Sequence, residues 1–101
     1  MRFLMKVVLN TAKFNAAVRD GSAEGKMKKI LGEIKPEAAY FIAENGLRTG
    51  YLIVNMTDVS QIPALAEPWF LNFEAEIEMK PTMTPEDLGK AGLEGLGKKW
   101  A

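Results

Sequence analysis

The 101-residue chain contains neither cysteine nor histidine. Without cysteine there is no disulfide, no thiolate nucleophile and no cysteine-bound metal. Without histidine the commonest general base near neutral pH and the commonest metal ligand are both missing, so a Ser-His-Asp triad, a histidine-bound zinc and a histidine-ligated haem are excluded. Excess charge is also lacking. Thirteen basic residues balance thirteen acidic ones, so no global field draws in nucleic acid or an anionic membrane. The opening MRFLMKVVLN is interrupted by Lys6 and too short for a signal peptide or a membrane span. A cytoplasmic protein with no nucleic-acid or membrane partner is therefore expected. Internal repeats and low-complexity linkers are absent too.

What is present is an ordinary globular composition, 48% apolar and 26% charged, in a length that supports one small domain with one modest core. Residues 2–9 (RFLMKVVL) read as a first strand, with Phe3, Met5, Val7 and Leu9 on one side. From about Asn15 to Lys35 the period turns helical, through Ala23, Met27, Ile30, Leu31 and Ile34. Asp20-Gly21-Ser22 marks a kink or a fresh start with Ser22 as N-cap, and Pro36 ends the segment.

AAYFIAENGLRTGYLIVNM is the clearest local signal. Asn45-Gly46 supplies the positive φ values of a type I′ turn and fixes a hairpin register. That register pairs Glu44 with Leu47, Ile42 with Thr49 and Tyr40 with Tyr51 on one face. On the other it pairs Ala43 with Arg48, Phe41 with Gly50 and Ala39 with Leu52. Asp58 or Ser60 caps a second helix, which Pro68 is expected to kink or stop. FEAEIEMK, residues 73–80, reads as strand four, its alternation placing Glu74, Glu76 and Glu78 on one face. Thr84-Pro85-Glu86-Asp87 starts a helical tail. Four glycines weaken that tail by about 1 kcal/mol each, so it needs docking, with Trp100 as the anchor.

The order strand, helix, strand, strand, helix, strand predicts an α+β fold of the ferredoxin-like βαββαβ kind: a four-stranded antiparallel sheet with two helices on one face. Residues 1–84 form the domain and 85–101 the C-terminal helical tail. The expected core is Phe3, Met5, Val7, Leu9, Phe41, Leu52, Val54, Met56, Phe73, Ala75, Ile77 and Met79. The opposite face is half apolar, a patch large enough to call for a partner, and a homodimer packing sheet on sheet supplies one.

With this element order, the strand-four exit IEMKP and the tail after it, the chain resembles the dimeric α+β barrel superfamily. The resemblance covers nearly the full length and implies a homodimer of two ferredoxin-like sheets, the tail often crossing to the partner. A closer likeness is to small uncharacterised bacterial proteins sharing KPEAAYF, NGLRTGYLIV, IPALAEPWFLNFEAEIE and MTPEDL. The layout is similar to that of muconolactone-isomerase-like enzymes and cofactor-independent monooxygenases. The haem-binding and His-Asp members of the superfamily do not fit a chain without histidine.

Chemistry at the open face has two readings. In one, the glutamates form a ladder with Arg2 and Lys6 of the neighbouring strand. In the other, a glutamate desolvated between the sheets, Glu76 for choice, shuttles protons in a cofactor-free isomerase or monooxygenase acting on a small cyclic or aromatic compound. Tyr40, Tyr51, Asn55, Thr49 and Lys6 then line the cleft, with Trp69 and Phe70 at its mouth. The alternative is a non-catalytic ligand-binding or assembly module in which the same face is only interface. No cofactor or metal site is expected, since a straight acidic strand does not offer the bent oxygen cage that calcium requires.

Overall fold

A computed structural model describes all residues, 1–101. It is a small α+β domain with one four-stranded antiparallel sheet, its strands β1 (Arg2–Val8), β2 (Ala38–Glu44), β3 (Leu47–Asn55) and β4 (Glu76–Pro81) ordered β2-β3-β1-β4. The hydrophobic first strand lies in the middle, between β3 and β4, as its apolar content on both faces requires. The hairpin register is the one dictated by Asn45-Gly46, with Tyr40 opposite Tyr51 and Phe41 opposite Gly50. Asn45 (φ 53°) and Gly46 (φ 75°) both take the positive values of the type I′ turn.

The crossover from β1 to β2 carries two helices, so Asp20-Gly21-Ser22 marks a fresh start rather than a kink. They are α1 (Thr11–Asp20) and α2 (Ala23–Ile34), separated by Gly21 at φ 83°. Asn10 caps α1 five residues ahead of Asn15, where the helical period was expected to begin, its side chain accepting from the Lys13 amide at 2.9 Å. Ser22 precedes α2 but makes no capping hydrogen bond with its side chain. Asp58 and Gln61 build a capping box around a single 3-10 turn, which leads into α3 (Ile62–Phe73).

Pro68 does not stop α3; the helix runs through it to Phe73. Burial overrides the local cost, because Trp69 and Phe73, beyond the proline, are the two largest fully buried side chains. The Asn72 amide also donates to the Pro68 carbonyl at 2.7 Å, pinning the last turn. Glu74 then reverses the chain in the left-handed conformation, φ 47°, with its N–H on the Phe70 and Trp69 carbonyls. Strand four therefore begins at Glu76. Phe73 and Glu74 belong to the helix end rather than the strand.

Helices α1, α2 and α3 cover one sheet face. The core joins Met5, Val7, Leu9, Leu52, Val54 and Met56 to Ala17, Ile30, Leu65, Trp69, Phe73 and Ala75. Of the expected core residues, Phe3, Ile77 and Met79 are half-buried against this set, and Phe41 departs from it. It is 46% exposed, because it lies on the outer strand beyond the helices, its ring over Gly50, where an added Cβ would meet it at 2.9 Å. Beyond β4 two short helices follow, α4 (Pro85–Lys90) and α5 (Leu93–Lys99), with the Thr84 capping box formed as anticipated. Neither buries a residue, and Trp100, expected as an anchor, is 77% exposed. No helix is long and apolar enough to cross a membrane.

Candidate functional site

The sheet face free of helices is laid out in rows by the strand registers. One row crosses the sheet as Tyr40, Tyr51, Lys6 and Glu78. The next, toward the hairpin turn, is Ile42, Thr49, Val8 and Glu76, and the one on the other side is Ala38, Ile53, Leu4 and Lys80. Alternation on each strand delivers these side chains to one face. Tyr40, Tyr51, Lys6 and Glu76 are therefore brought onto a common surface. Asn55 lies at its far end, opposite Arg2, and is exposed.

Lys6 faces Glu78 in the register, yet its ammonium turns the other way. Lys6 Nζ pairs with Glu44 Oε2 at 2.8 Å, and the Tyr51 hydroxyl donates to Glu44 Oε1 at 2.6 Å. One carboxylate thus holds a lysine and a tyrosine from two other strands. The bridge spans the row containing Thr49 and accounts for that threonine being 1% exposed on a face with no helix above it. Thr49 satisfies its own hydroxyl by donating to the Leu47 carbonyl at 3.1 Å.

The electrostatics of the three groups reinforce one another. Hydrogen bonding from Lys6, then from Tyr51, holds the Glu44 carboxyl below its ordinary range against the opposing effect of partial burial. The bond to Glu44 raises Lys6, again against desolvation. Tyr51 is raised by its bond to Glu44 and by burial together. At neutral pH the cluster is a carboxylate, an ammonium and a neutral phenol. Such a cluster is suited to holding groups in place rather than exchanging protons at neutral pH, since none of the three sits near its point of half-titration.

Arg2 is likewise engaged away from the β4 acids, on Glu37 at 2.9 Å. The ladder of Arg2 and Lys6 with Glu74, Glu76 and Glu78 does not form. Glu74 pairs with Lys13 at 3.6 Å and Glu78 with Lys80 at 3.7 Å, both exposed, while Glu76 has no ion-pair partner. Glu76 instead lines a cleft of about 290 Å³ with Val8, Leu9, Asn10, Leu47 and Glu74. It stands diagonally across from Lys6, a placement that spans about 7–8 Å in an antiparallel pair.

Trp69 is corrected most sharply. It is 0% exposed, projects from α3 into the core on the covered side of the sheet and contributes nothing to the open face. Glu44 was overlooked as a site residue, although the Asn-Gly register already placed it on the same face as Tyr40 and Tyr51.

The family model described as "Domain of unknown function (DUF3303)" matches residues 1–96. The chain belongs to the DUF3303 family. No curated protein matches it. In this DUF3303 chain the functional reading accordingly rests on the open face itself: an apolar ground of Leu4, Val8, Tyr40, Ile42 and Ile53, crossed by the Lys6–Glu44–Tyr51 bridge.

Proposed function

We propose that this protein is a ferredoxin-like homodimer of the dimeric α+β barrel kind, packed open face to open face, that binds a small cyclic or aromatic compound in the cleft between its sheets. The observation that carries this reading is the Lys6–Glu44–Tyr51 bridge on an otherwise apolar face. A polar cluster fixed in geometry and charge, surrounded by apolar and aromatic side chains, is the composition of a small-molecule site. Lys6 spends one donor on Glu44 and keeps two for a carbonyl, phenolate or carboxylate of the ligand. Tyr40 and Tyr51 supply ring faces, and Asn55 a polar group at the cleft's end.

A catalytic reading is favoured by one further observation: Glu76 is the β4 acid without an ion-pair partner, and it is diagonal to a firmly protonated lysine. Dimer formation would exclude water from around Glu76. It would then take a proton from a carbon next to a carbonyl while Lys6 stabilises the developing oxyanion. That is the chemistry of a cofactor-independent isomerase.

Light scattering on the eluting protein is expected to give twice the chain mass of 11.2 kDa, and a strict monomer would overturn the reading. Against a panel of aromatic carboxylates and phenols, amide shifts should concentrate at Lys6, Tyr40 and Tyr51 and vanish in Lys6→Met. If an enolisable substrate turns over, Glu76→Gln should abolish turnover while leaving binding intact.

A further inference from the structure

On the helix-covered face, toward its turn, the hairpin carries the pairs Phe41–Gly50 and Ala43–Arg48. Small residues keep this corner of the domain thin. Gly50 makes room for the Phe41 ring over the strand, and Ala43 fills its place with only a methyl group. Helices α1 and α2 reach the corner with Phe14 and Met27, both half-buried, without closing over it. A groove of about 420 Å³ is left, walled by Leu9, Phe14, Met27, Phe41 and Ala43. Arg48 is the one charged residue that lines it.

Arg48 is half-buried, and its guanidinium carbon lies 4.7 Å over the Phe14 ring. The ring attracts the charge without neutralising it. No carboxylate pairs with Arg48, and none of its side-chain N–H groups donates to a protein acceptor. Arg2, on the neighbouring strand, shows the contrast: its Nε donates to both oxygens of Glu37, at 2.9 and 3.1 Å. Glu44, the one acid of the hairpin, is held on the opposite face by Lys6 and Tyr51. A partly desolvated guanidinium without a counter-ion favours an anion, and its planar fork matches a carboxylate. The apolar walls require that the anion carry an apolar body.

We propose that this groove binds a medium-chain fatty acid, with its carboxylate on Arg48 and its alkyl chain along Phe14, Met27 and Phe41. Volume decides the length class: small-molecule pockets run from about 300 to 1,000 Å³, and about 420 Å³ lies near the lower end, too little to enclose a long acyl chain. The walls decide the shape of the body. Phe14 is already engaged by Arg48 and by the Phe73 ring at 5.0 Å, and Phe41 lies over Gly50. An alkyl chain needs no free ring face, whereas an aromatic ligand would stack on one. Met27, unbranched and polarizable, adapts to a flexible chain. The groove is built within one chain on the helix side, so it is separate from the open-face cleft and needs no second copy.

Titration of the intact chain with decanoate, kept below its micelle-forming concentration and followed by calorimetry and amide shifts, tests this directly. A single saturable site per chain is expected, with shifts centred on Phe14, Met27, Ala43 and Arg48. Arg48→Met, checked for retained fold by circular dichroism, should weaken decanoate about tenfold or more, the loss of one charge-assisted pair. The same variant should bind decanol as the wild type does, because decanol offers the chain without the charge. Ala43→Leu fills the groove beside Arg48 and should abolish binding of both ligands, which keeps the test open if Arg48→Met does not fold. Shifts confined to Lys6, Tyr40 and Tyr51 would move the acid to the open face and overturn the groove site. Equal decanoate affinity in wild type and Arg48→Met would overturn it as well, as would tighter binding of decyltrimethylammonium than of decanoate, or no saturable binding.

Discussion

The two faces of the sheet are made from the same four strands, yet they finish in opposite states. On the covered face Met5, Val7, Leu52 and Val54 are at most 1% exposed. On the open face Tyr40 is 71% and Ile42 47% exposed, and the middle of the surface is held by a carboxylate bridge instead of packed carbon. Leu52 and Ile53 are adjacent in sequence and differ only in which side they take. The covered face uses its apolar residues to hold the domain together, and the open face leaves its own uncovered, as the binding and dimerisation proposed above require.

The strongest way to break the comparison is from below. Trp69→Ala removes the largest fully buried side chain, and losing a buried tryptophan costs about 3–5 kcal/mol. Urea unfolding should register that loss, and the variant should be near the limit of folding at all. Leu52→Ala should follow at about 2–5 kcal/mol. Ile53→Ala should cost the isolated domain far less than Leu52→Ala, and in the proposed dimer its larger effect should appear in the dissociation constant. Equal losses at the two positions in dilute solution would mean that the open face is as much core as the covered one.

Much of this layout was legible. The alternation in β1 and β3 separates the two faces, and Asn45-Gly46 fixes the hairpin register pair by pair, because a two-residue turn leaves no freedom to slip. The end of α3 was not legible, since the alternation in FEAEIEMK continues backward through Phe73 and Glu74. What decides there is the burial of Trp69 and Phe73 against the sheet, a tertiary gain that outweighs Pro68. Taking Pro68 as a stop likewise puts Trp69 at a cleft mouth, whereas the continuing helix buries it. Asn10 as the cap of α1 was hidden because α1 buries only Ala17 fully and so carries a weak apolar period. The site was legible as a face and not as a set of contacts: Lys6 does lie opposite Glu78, but a long side chain chooses among neighbours within reach. The Glu44 carboxylate, receiving the Tyr51 hydroxyl as well, is the better acceptor.

Acid titration distinguishes the bridge from the packed face. Glu44 is depressed in the folded protein, so its stabilisation is present above the ordinary carboxylate range and is lost as pH falls through the lower folded value. Lys6 and Tyr51 are raised, so theirs is complete below their ordinary values near 10.5 and 10.0 and is lost as pH climbs past them. Melting temperature should therefore be flat through neutrality and fall on both sides. Glu44→Gln should lower the plateau and soften both declines. The acid decline would persist in part, because Glu37, Asp20, Asp58 and Asp87 are also depressed by their hydrogen bonds. An unchanged alkaline limb in Glu44→Gln would mean that the bridge does not hold Lys6 and Tyr51 in solution.

The smallest effect is expected where the sequence looked most suggestive. Glu78 stands in the same cross-strand row as Lys6 but reaches only Lys80, at 3.7 Å with both side chains more than half exposed. Such contacts are screened by water and salt and contribute little. Glu78→Gln should leave the melting temperature at neutral pH unchanged, and adding salt should not separate it from the wild type. Set beside Glu44→Gln, this contrast measures how far a conspicuous run of acids differs from a single carboxylate that two strands converge upon. If instead Glu78→Gln proved as costly as Glu44→Gln, Lys6 would be sharing its charge along the row, and the open face would be a ladder after all.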